Sequence, residues 1–316
     1  MSETNQHAAK QRSPGGPAAL TVLETRGFPD YRLLDSGNGR KLERFGKVVV
    51  DRPEPQALWM PSRPPEAWRG AHAVFAASDD EEAGKWRLQN DVPQSWPMRL
   101  RDVTVVGRLS AFRHLGIFPE QLPHWEWMLE GVKGPARAPD APRPRVLNLF
   151  AYTGAASLLA AHAGAEVTHV DASRKAIAWA KENQAASKLT DAPIRWILDD
   201  ARKFVAREVR RGRTYDVVLV DPPKFGRGPD GEIWEAFEHT PALVRDCVKL
   251  LAPGRARLVL TVYAIRASAL SIGQLLAEAT ADRPGAIECG ELVIREEAGG
   301  RVVPTSLFAR WSAHEQ

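Results

Sequence analysis

The chain has few cysteines and no apolar leader segment. Its two cysteines, Cys247 and Cys289, exclude a disulfide framework, and neither has a partner at the spacing of a metal-binding pair. The first residues, MSETNQHAAKQRSPGGP, lack the apolar core of a signal peptide. We therefore expect a cytoplasmic protein with no metal site and no membrane partner.

The chain also lacks a strong excess of charge of either sign. Its 43 Lys and Arg residues against 39 Asp and Glu residues give a formal net charge of +4. This mildly basic balance is compatible with RNA binding but does not establish it. With 316 residues, of which 44% are hydrophobic, the chain is long enough for one large domain and a small one.

One stretch, Val146 to Asp171, organises the rest of the sequence. The run 145–150 has the length and bulk of a buried parallel strand, and Ala155 to Ala161 consists of strong helix formers. The turn at Gly154 would present backbone N–H groups at the helix start, and its glycine would let a ligand approach the backbone. A second strand ends at Asp171, 17 residues after Gly154, where the acid could accept two ribose hydroxyls.

Two other interpretations of this stretch stay open. The unit could be an ordinary crossover without a ligand, since many strands end in an acid. A membrane span also has to be considered, because about 20 consecutive residues carry no charge. Asn148, His162 and the shortness of the helical part argue against a span.

The turn lacks the glycine pattern of a dinucleotide site. Such a site would show G-x-G-x-x-G, whereas Phe150 and Tyr152 precede a single glycine here. A nucleoside ligand without phosphates, such as S-adenosylmethionine, does not need that pattern. N-L-F-A-Y-T-G at Asn148 to Gly154 resembles the first motif of class I S-adenosylmethionine-dependent methyltransferases, in the form found in the bacterial 23S rRNA large-subunit branch. V-D-A-S at Val170 to Ser173 resembles their second motif.

A proline-rich acidic segment follows a further predicted strand, Tyr215 to Val220. It reads D-P-P-K-F over Asp221 to Phe225, and two prolines directly after a buried strand fix a rigid, extended turn. Asp221 could hold or deprotonate a base nitrogen there, or it could simply end the strand. D-P-P-K-F resembles the fourth motif of the same rRNA branch. Lys224 departs from the enzymes that methylate exocyclic amines, which usually have an aromatic residue at that position.

The resemblance also assigns roles to two segments on either side of the central unit. Asp200, after the predicted strand 194–198, corresponds to the acid that contacts the adenine amino group, although a helix N-cap would need the same residue type. Phe118 and Glu120 match a segment that touches the cofactor in the same branch. Gln121 departs from that pattern, because the family tends to have arginine shortly after the acid.

These patterns predict an α/β protein with a Rossmann-like class I methyltransferase fold. We expect a mostly parallel sheet with a closing antiparallel hairpin, and a small N-terminal β-rich domain. The predicted boundaries are a disordered tail over 1–17, the accessory domain over 18–113 and the methyltransferase domain over 114–316.

Several aromatic residues have two possible roles. Trp59, Trp68, Trp86 and Trp96 could stack on bases, but tryptophans in a small β domain more often form its core. A flexible loop is predicted over 226–233. Trp234 and Phe237 follow it and could close over a flipped base or simply pack.

The candidate site residues fall into two groups. For the cofactor, S-adenosylmethionine, the predicted contacts are Phe118, Glu120, Phe150, Tyr152, Thr153, Gly154, Asp171, Ala172, Ser173, Asp200, Ala201 and Asp221. For catalysis on the acceptor they are Asp221, Pro222, Pro223 and Lys224.

The predicted reaction is methyl transfer to a base nitrogen of RNA, in particular ribosomal RNA. Methylation of a pyrimidine C5 needs a cysteine nucleophile, and neither cysteine directly follows the fourth or fifth predicted strand. Two alternatives stay open: a methyltransferase of a small molecule or protein, and a non-catalytic RNA-binding protein.

Overall fold

The computed structural model describes residues 19–77, 84–133, 141–263 and 265–313. The predicted disordered tail, residues 1–17, lies outside the described residues. The strands are β1 (Leu20–Glu24), β2 (Tyr31–Gly37), β3 (Arg40–Phe45), β4 (Val48–Pro53), β5 (Ala73–Ala77), β6 (Gly84–Leu88), β7 (Trp96–Leu100), β8 (Val103–Gly107), β9 (Arg145–Leu149), β10 (Glu166–Asp171), β11 (Ile194–Leu198), β12 (Val217–Val220), β13 (Phe225–Arg227), β14 (Ile233–Glu235), β15 (Arg257–Val262), β16 (Gly285–Arg295) and β17 (Val302–Ala313).

The helices are α1 (Pro65–Arg69), α2 (Leu122–Lys133), α3 (Ala155–His162), α4 (Arg174–Ala186), α5 (Ala201–Arg210), α6 (Ala236–Lys249) and α7 (Ala269–Ala279). A short 3₁₀ helix, Pro119–Gln121, precedes α2.

An eight-stranded sheet forms the centre of the fold, with the strand order β1-β16-β17-β15-β12-β9-β10-β11. β9 lies between β10 and β12 and is parallel to both. The chain therefore runs outward from β9 to β11 and then returns to β12 on the other side of β9. In open α/β sheets, ligands bind at such a reversal of strand order, in the crevice outside the carboxyl ends of the strands.

The far side of the sheet is closed by a hairpin, as predicted. β17 pairs antiparallel with both β15 and β16, which confirms the mostly parallel sheet with its closing antiparallel hairpin. β1 adds a further strand, parallel to β16. Residues 20–24 fall within the region predicted as the accessory domain, yet they belong to the central sheet.

Helices cover both faces of the sheet because its central strands are apolar on both sides. Val146 and Val217 pack into the layer that contains α2 and α3. Leu147 and Val218 pack into the opposite layer with α5, α6 and α7.

Among the described residues, no helix combines the length and apolar character needed to cross a membrane.

The N-terminal region forms a five-stranded sheet, β2-β3-β4-β5-β6, and a two-stranded ribbon, β7-β8. Many of its buried apolar side chains, such as Phe45, Val50 and Met98, belong to the same apolar cluster as α2 and α3, so the two parts share a continuous core. Trp96 is buried in this cluster, and Trp59 and Trp86 pack partly buried against it. Trp68 donates its indole N–H to Asp35 at 3.0 Å. These contacts agree with packing roles for the tryptophans.

The attachment of β1 to the sheet depends on Gly290. A Cβ atom at Gly290 would lie 1.7 Å from the carbonyl oxygen of Thr21, its partner in β1. Leu20 and Val22 are exposed, so they contribute little burial to hold this strand. We expect Gly290→Ala to detach β1 and to lower the free energy of unfolding by about 1–3 kcal/mol. Urea unfolding measures the change, and hydrogen exchange locates it.

The matched control for this substitution is Glu291→Ala, at the next, exposed position of β16. It should leave both measurements close to wild type. Undiminished protection of the β1 amides in Gly290→Ala would contradict the prediction.

Candidate active site

A cleft of about 530 Å³, including its open mouth, lies at the carboxyl ends of β9 and β12. It is therefore located where the strand order reverses. Of the residues predicted from the sequence, the cleft wall contains Phe118, Phe150, Tyr152, Thr153, Gly154 and Asp221. Its mixture of aromatic walls and a few polar groups is typical of small-molecule sites.

The turn after β9 has an unusual backbone. Phe150, Tyr152 and Gly154 have φ angles of 55°, 50° and 83°, all in the left-handed region. Side chains other than glycine rarely adopt this conformation, and each such residue costs free energy. Asn183 in α4 helps to fix the turn by donating its amide to the carbonyl oxygen of Thr153 at 2.9 Å. No pattern in the sequence indicated a role for Asn183.

Gly154 lines the cleft, and the fold itself also requires a glycine at this position. It precedes α3 as its N-cap residue with a positive φ. A Cβ atom there would lie 3.1 Å from the Cβ of Ala180 in α4. The glycine is therefore required by the turn and by the close packing of α4.

The side chain of Asp171 is hydrogen-bonded to the same turn. Its Oδ2 accepts the backbone N–H of Tyr152, and its Oδ1 accepts that of Ser173, both at 2.7 Å. Burial raises the pKa of Asp171, while these two N–H donors act in the opposite direction. Ser173 in turn caps α4 by accepting the N–H of Ala176 at 3.2 Å. Asp171, Ala172 and Ser173 lie beside the turn at the end of β10, outside the wall of the cleft.

Asp200 acts as the N-cap of α5, as one of the two interpretations predicted. Its Oδ1 accepts the backbone N–H groups of Arg202 at 2.9 Å and Lys203 at 3.1 Å. The Arg202 guanidinium lies 3.3 Å from the other oxygen. Asp200 and Ala201 stand at the end of the neighbouring strand, β11, and do not line the cleft.

Asp221 enters the cleft from the end of β12. Its Oδ2 accepts the side-chain amide of Gln121 at 3.1 Å, and the amide oxygen of Gln121 lies 3.4 Å from the Thr261 hydroxyl, which donates to it. Burial, followed by the nearby charge of Glu120, raises the pKa of Asp221 to about 7. The carboxylate can therefore accept a proton near neutral pH. Gln121 is a site residue that the sequence analysis noted only as a departure from a pattern.

The segment after Asp221 is held by a hairpin rather than forming the predicted flexible loop. β13 and β14 pair antiparallel, and the carbonyl oxygen of Pro223 accepts the Trp234 indole N–H at 2.7 Å. The side chain of Pro222 is buried, whereas Lys224 is exposed. The loop was predicted because the segment is rich in glycine, and such a sequence does not indicate that two three-residue strands pair antiparallel.

Trp234 and Phe237 have different environments. Trp234 is 3% exposed, and its ring centroid lies 4.9 Å from that of Phe150. The packing interpretation is therefore correct for Trp234. Phe237, in the first turn of α6, is 64% exposed.

Phe118 and Glu120 point to different spaces. The Phe118 ring lies in the cleft wall, with its centroid 5.4 Å from that of Tyr152. Glu120 does not line the cleft and faces a neighbouring cavity.

Among the described residues, no group of three His, Cys, Asp or Glu side chains is arranged to bind a metal ion.

His124 is a further cleft residue that the sequence analysis missed. It is buried in α2 and lines the cleft. Among the described residues, neither of its ring nitrogens has a hydrogen-bond partner. Burial lowers its pKa to about 3, so the ring is neutral at physiological pH.

Comparisons with curated proteins identify partial relatives. A family model described as conserved hypothetical protein 95 matches residues 136–247. The ribosomal RNA large subunit methyltransferase K/L of Hahella chejuensis is 33% identical over 148 residues, which are 46% of this chain and 19% of that protein. The protein of the same name from Pseudoalteromonas atlantica is 40% identical over 111 residues, 34% of this chain and 15% of that protein. The chain thus spans less than a fifth of these curated relatives.

A solved structure with high sequence identity matches nearly the whole chain. The crystal structure of the S-adenosylmethionine-dependent methyltransferase from Agrobacterium tumefaciens is 50% identical, with a TM-score of 0.88. The match covers 96% of this chain and 97% of that chain, so it includes the N-terminal sheet as well as the cleft. The chain therefore belongs to the class I S-adenosylmethionine-dependent methyltransferases.

Proposed function

We propose that this chain transfers the methyl group of S-adenosylmethionine to a base of ribosomal RNA. The observation that carries the proposal is the half-buried carboxylate of Asp221, which is directed into the cleft by Gln121 and whose pKa is raised to about 7 by desolvation. The curated relatives from Hahella and Pseudoalteromonas, which are named for ribosomal RNA, support this class of acceptor. A ribosomal RNA acceptor would also place the protein in the cytoplasm.

The cofactor would be held across three strand ends. The turn from Phe150 to Gly154, together with Phe118, would hold the methionine part. Asp171, with Ala172 and Ser173, would bind the ribose, because each carboxylate oxygen accepts one backbone N–H and keeps a second lone pair for a hydroxyl. Asp200 and Ala201 would contact the adenine. When bound, S-adenosylmethionine supplies an electrophilic methyl group.

The acceptor would meet the turn formed by Asp221, Pro222, Pro223 and Lys224. A base nitrogen that carries a proton must release it when it bonds to the methyl group, and ionised Asp221 could accept that proton. The methyl–sulfur bond of the cofactor would break in the same transfer. The rigid prolines and the Gln121 hydrogen bond would keep this carboxylate in place, and positioning is the main requirement of such a transfer. We assign the described part of residues 18–113, apart from β1, to an accessory domain that helps to bind the acceptor.

The proposed acceptor atom is a nitrogen. Cys247 lies in α6 and Cys289 in β16, and both are fully buried in the apolar layer on one face of the sheet. Burial raises the pKa of both thiols, which disfavours the nucleophilic thiolate. Neither cysteine lines the cleft. A covalent attack on a pyrimidine carbon therefore has no candidate nucleophile here.

Cofactor binding should depend on Asp171. In Asp171→Ala, two hydrogen bonds to an ionised acceptor are lost, each worth about 1.5–3 kcal/mol, so we expect at least a tenfold weaker affinity for S-adenosylmethionine. Calorimetry measures this affinity. Asp191→Ala, at an exposed acid between α4 and β11, is the matched control and should bind normally. Unchanged affinity in folded Asp171→Ala would remove Asp171 from the site.

The rate of methyl transfer should depend on the ionisation state of Asp221. Transfer of a labelled methyl group to unmodified 23S rRNA, transcribed in vitro, should slow as the pH falls through about 7, because protonated Asp221 cannot accept a proton. Asp221→Asn should keep cofactor affinity and lose about 100-fold or more in rate. A wild-type rate in this variant, or a flat pH profile between pH values of about 6 and 8, would show that Asp221 is structural only.

Activity should not require a cysteine. We expect the double variant Cys247→Ala, Cys289→Ala to methylate the transcript at about the wild-type rate, provided that circular dichroism shows a folded protein. RNA containing 5-fluoropyrimidines should not trap the wild-type enzyme covalently. A folded, cofactor-binding but inactive double variant, or a covalent adduct, would refute the nitrogen assignment.

A further inference from the structure

The ribbon β7-β8 leaves one edge of β8 without a neighbouring strand. Within the described part of the chain, β8 pairs only with β7, in a two-stranded antiparallel sheet. The backbone N–H and C=O groups along the other edge of such a strand need hydrogen-bond partners wherever they are removed from water. Side chains of α4, a helix beside the central sheet, supply these partners, so the contact joins the N-terminal region to the rest of the fold.

Three residues of α4 and its C-terminal end, spaced four apart, bond to that edge. The Trp179 indole N–H donates to the carbonyl oxygen of Val106 at 2.9 Å, and Asn183 Oδ1 accepts the Val106 N–H at 2.8 Å. Ser187, the C-cap residue, accepts the N–H of Thr104 at 3.0 Å and donates to its carbonyl oxygen at 2.9 Å. Residues four apart lie on one face of a helix, so α4 presents a stripe of hydrogen-bonding groups to β8.

The middle residue of this stripe, Asn183, also reaches the turn after β9. Its side-chain amide donates to the carbonyl oxygen of Thr153 at 2.9 Å while its oxygen holds Val106. The side chain is 0% exposed, and both of its polar groups have a partner. A single buried amide therefore connects the backbone of the ribbon to the backbone of the turn that lines the cleft.

The turn depends on such contacts because its own backbone conformation is unfavourable. Phe150 and Tyr152 have left-handed φ angles, which persist only when the surrounding structure holds them. Asp171 holds the N–H of Tyr152 at 2.7 Å, and Asn183 holds the carbonyl oxygen of Thr153. Two side chains from different elements, β10 and α4, thus fix consecutive residues of the turn.

We propose that Asn183 is a positioning residue for the cofactor, and that it makes the ribbon β7-β8 part of the support of the cofactor site. The ribbon, docked on α4, holds the amide of Asn183 in the orientation that donates to Thr153. The turn then has its binding shape before S-adenosylmethionine arrives, which lowers the ordering cost of binding. This inference rests on the part of the proposed function that assigns the turn to the cofactor, and it is independent of the acceptor.

The test is Asn183→Leu, a change of nearly equal size that removes both hydrogen bonds. We expect the affinity for S-adenosylmethionine, measured by calorimetry, to fall at least about tenfold, because the turn loses a buried hydrogen bond that holds its binding shape. Hydrogen exchange should locate the cause. The amides of Val106 and Tyr152 should exchange faster than in wild type.

The matched control is Gln184→Met, at the next position of the same helix. Gln184 is also buried, and its amide donates to the backbone carbonyl of Leu189 at the same distance of 2.9 Å. Loss of this bond should lower the free energy of unfolding to a similar extent as in Asn183→Leu, but cofactor affinity should stay at the wild-type value. Equal losses of affinity in the two variants would indicate a general structural effect and would overturn the inference.

A second variant covers the case in which Asn183→Leu does not fold. Asn183→Asp keeps an acceptor for Val106 but, when ionised, has no donor for Thr153. Its affinity relative to wild type should be lowest at a pH of about 8 and should recover toward a pH of about 5, because a protonated carboxyl can donate to Thr153 again. The ratio to wild type is taken at each pH, since Asp171 and Asp221 are present in both proteins.

The outcomes separate this inference from the proposed function. If Asp171→Ala loses cofactor affinity while the folded Asn183 variants bind as tightly as wild type, the inference is overturned and the proposed function stands. If neither Asp171→Ala nor Asn183→Leu changes the affinity, the assignment of the turn to the cofactor fails and the inference fails with it.

Discussion

The hydrogen bond from the Tyr152 backbone N–H to the Asp171 carboxylate is the constraint on which the candidate site depends. Left-handed angles at residues other than glycine cost on the order of 1 kcal/mol or more each, and the turn after β9 contains two of them. Because β9 and β10 are parallel neighbours, the acid that ends β10 lies beside this turn and can hold it. The turn is therefore shaped by the protein itself, which reduces the ordering cost of binding a ligand.

A buried ionic network holds the N-terminal sheet in a single arrangement. Glu43 accepts the Tyr31 hydroxyl at 2.8 Å and both the Nε and the Nη2 groups of Arg52. Burial alone would raise the pKa of Glu43, but Arg52 and Lys41 lower it to about 2. A buried charge of this kind is tolerated only when its hydrogen bonds are satisfied, so it specifies geometry more than it adds stability. The contacts of this network join β2, β3 and β4.

The pKa of Asp221 reflects both its burial and the fact that its hydrogen-bond donor, Gln121, is uncharged. An arginine at position 121 would favour the ionised carboxylate and lower its pKa, whereas the amide of Gln121 orients Asp221 without adding a positive charge. Burial and the charge of Glu120 then raise the pKa of Asp221 to about 7. Gln121 thus fixes the position of Asp221, while burial and Glu120 raise its pKa.

The sequence by itself determined the parallel strand–helix units and the acids at their ends, because short apolar runs closed by Asp171 or Asp221 are local signals. Parallel strands place those ends at one edge, so the location of the cleft followed from the pattern. Only the tertiary structure decided that residues 20–24 join the central sheet, because pairing between distant segments leaves no local signature. It also decided that Gln121 faces the cleft while Glu120 faces a neighbouring cavity. Adjacent residues of a short helix diverge in direction, and what each contacts depends on the strands packed around it.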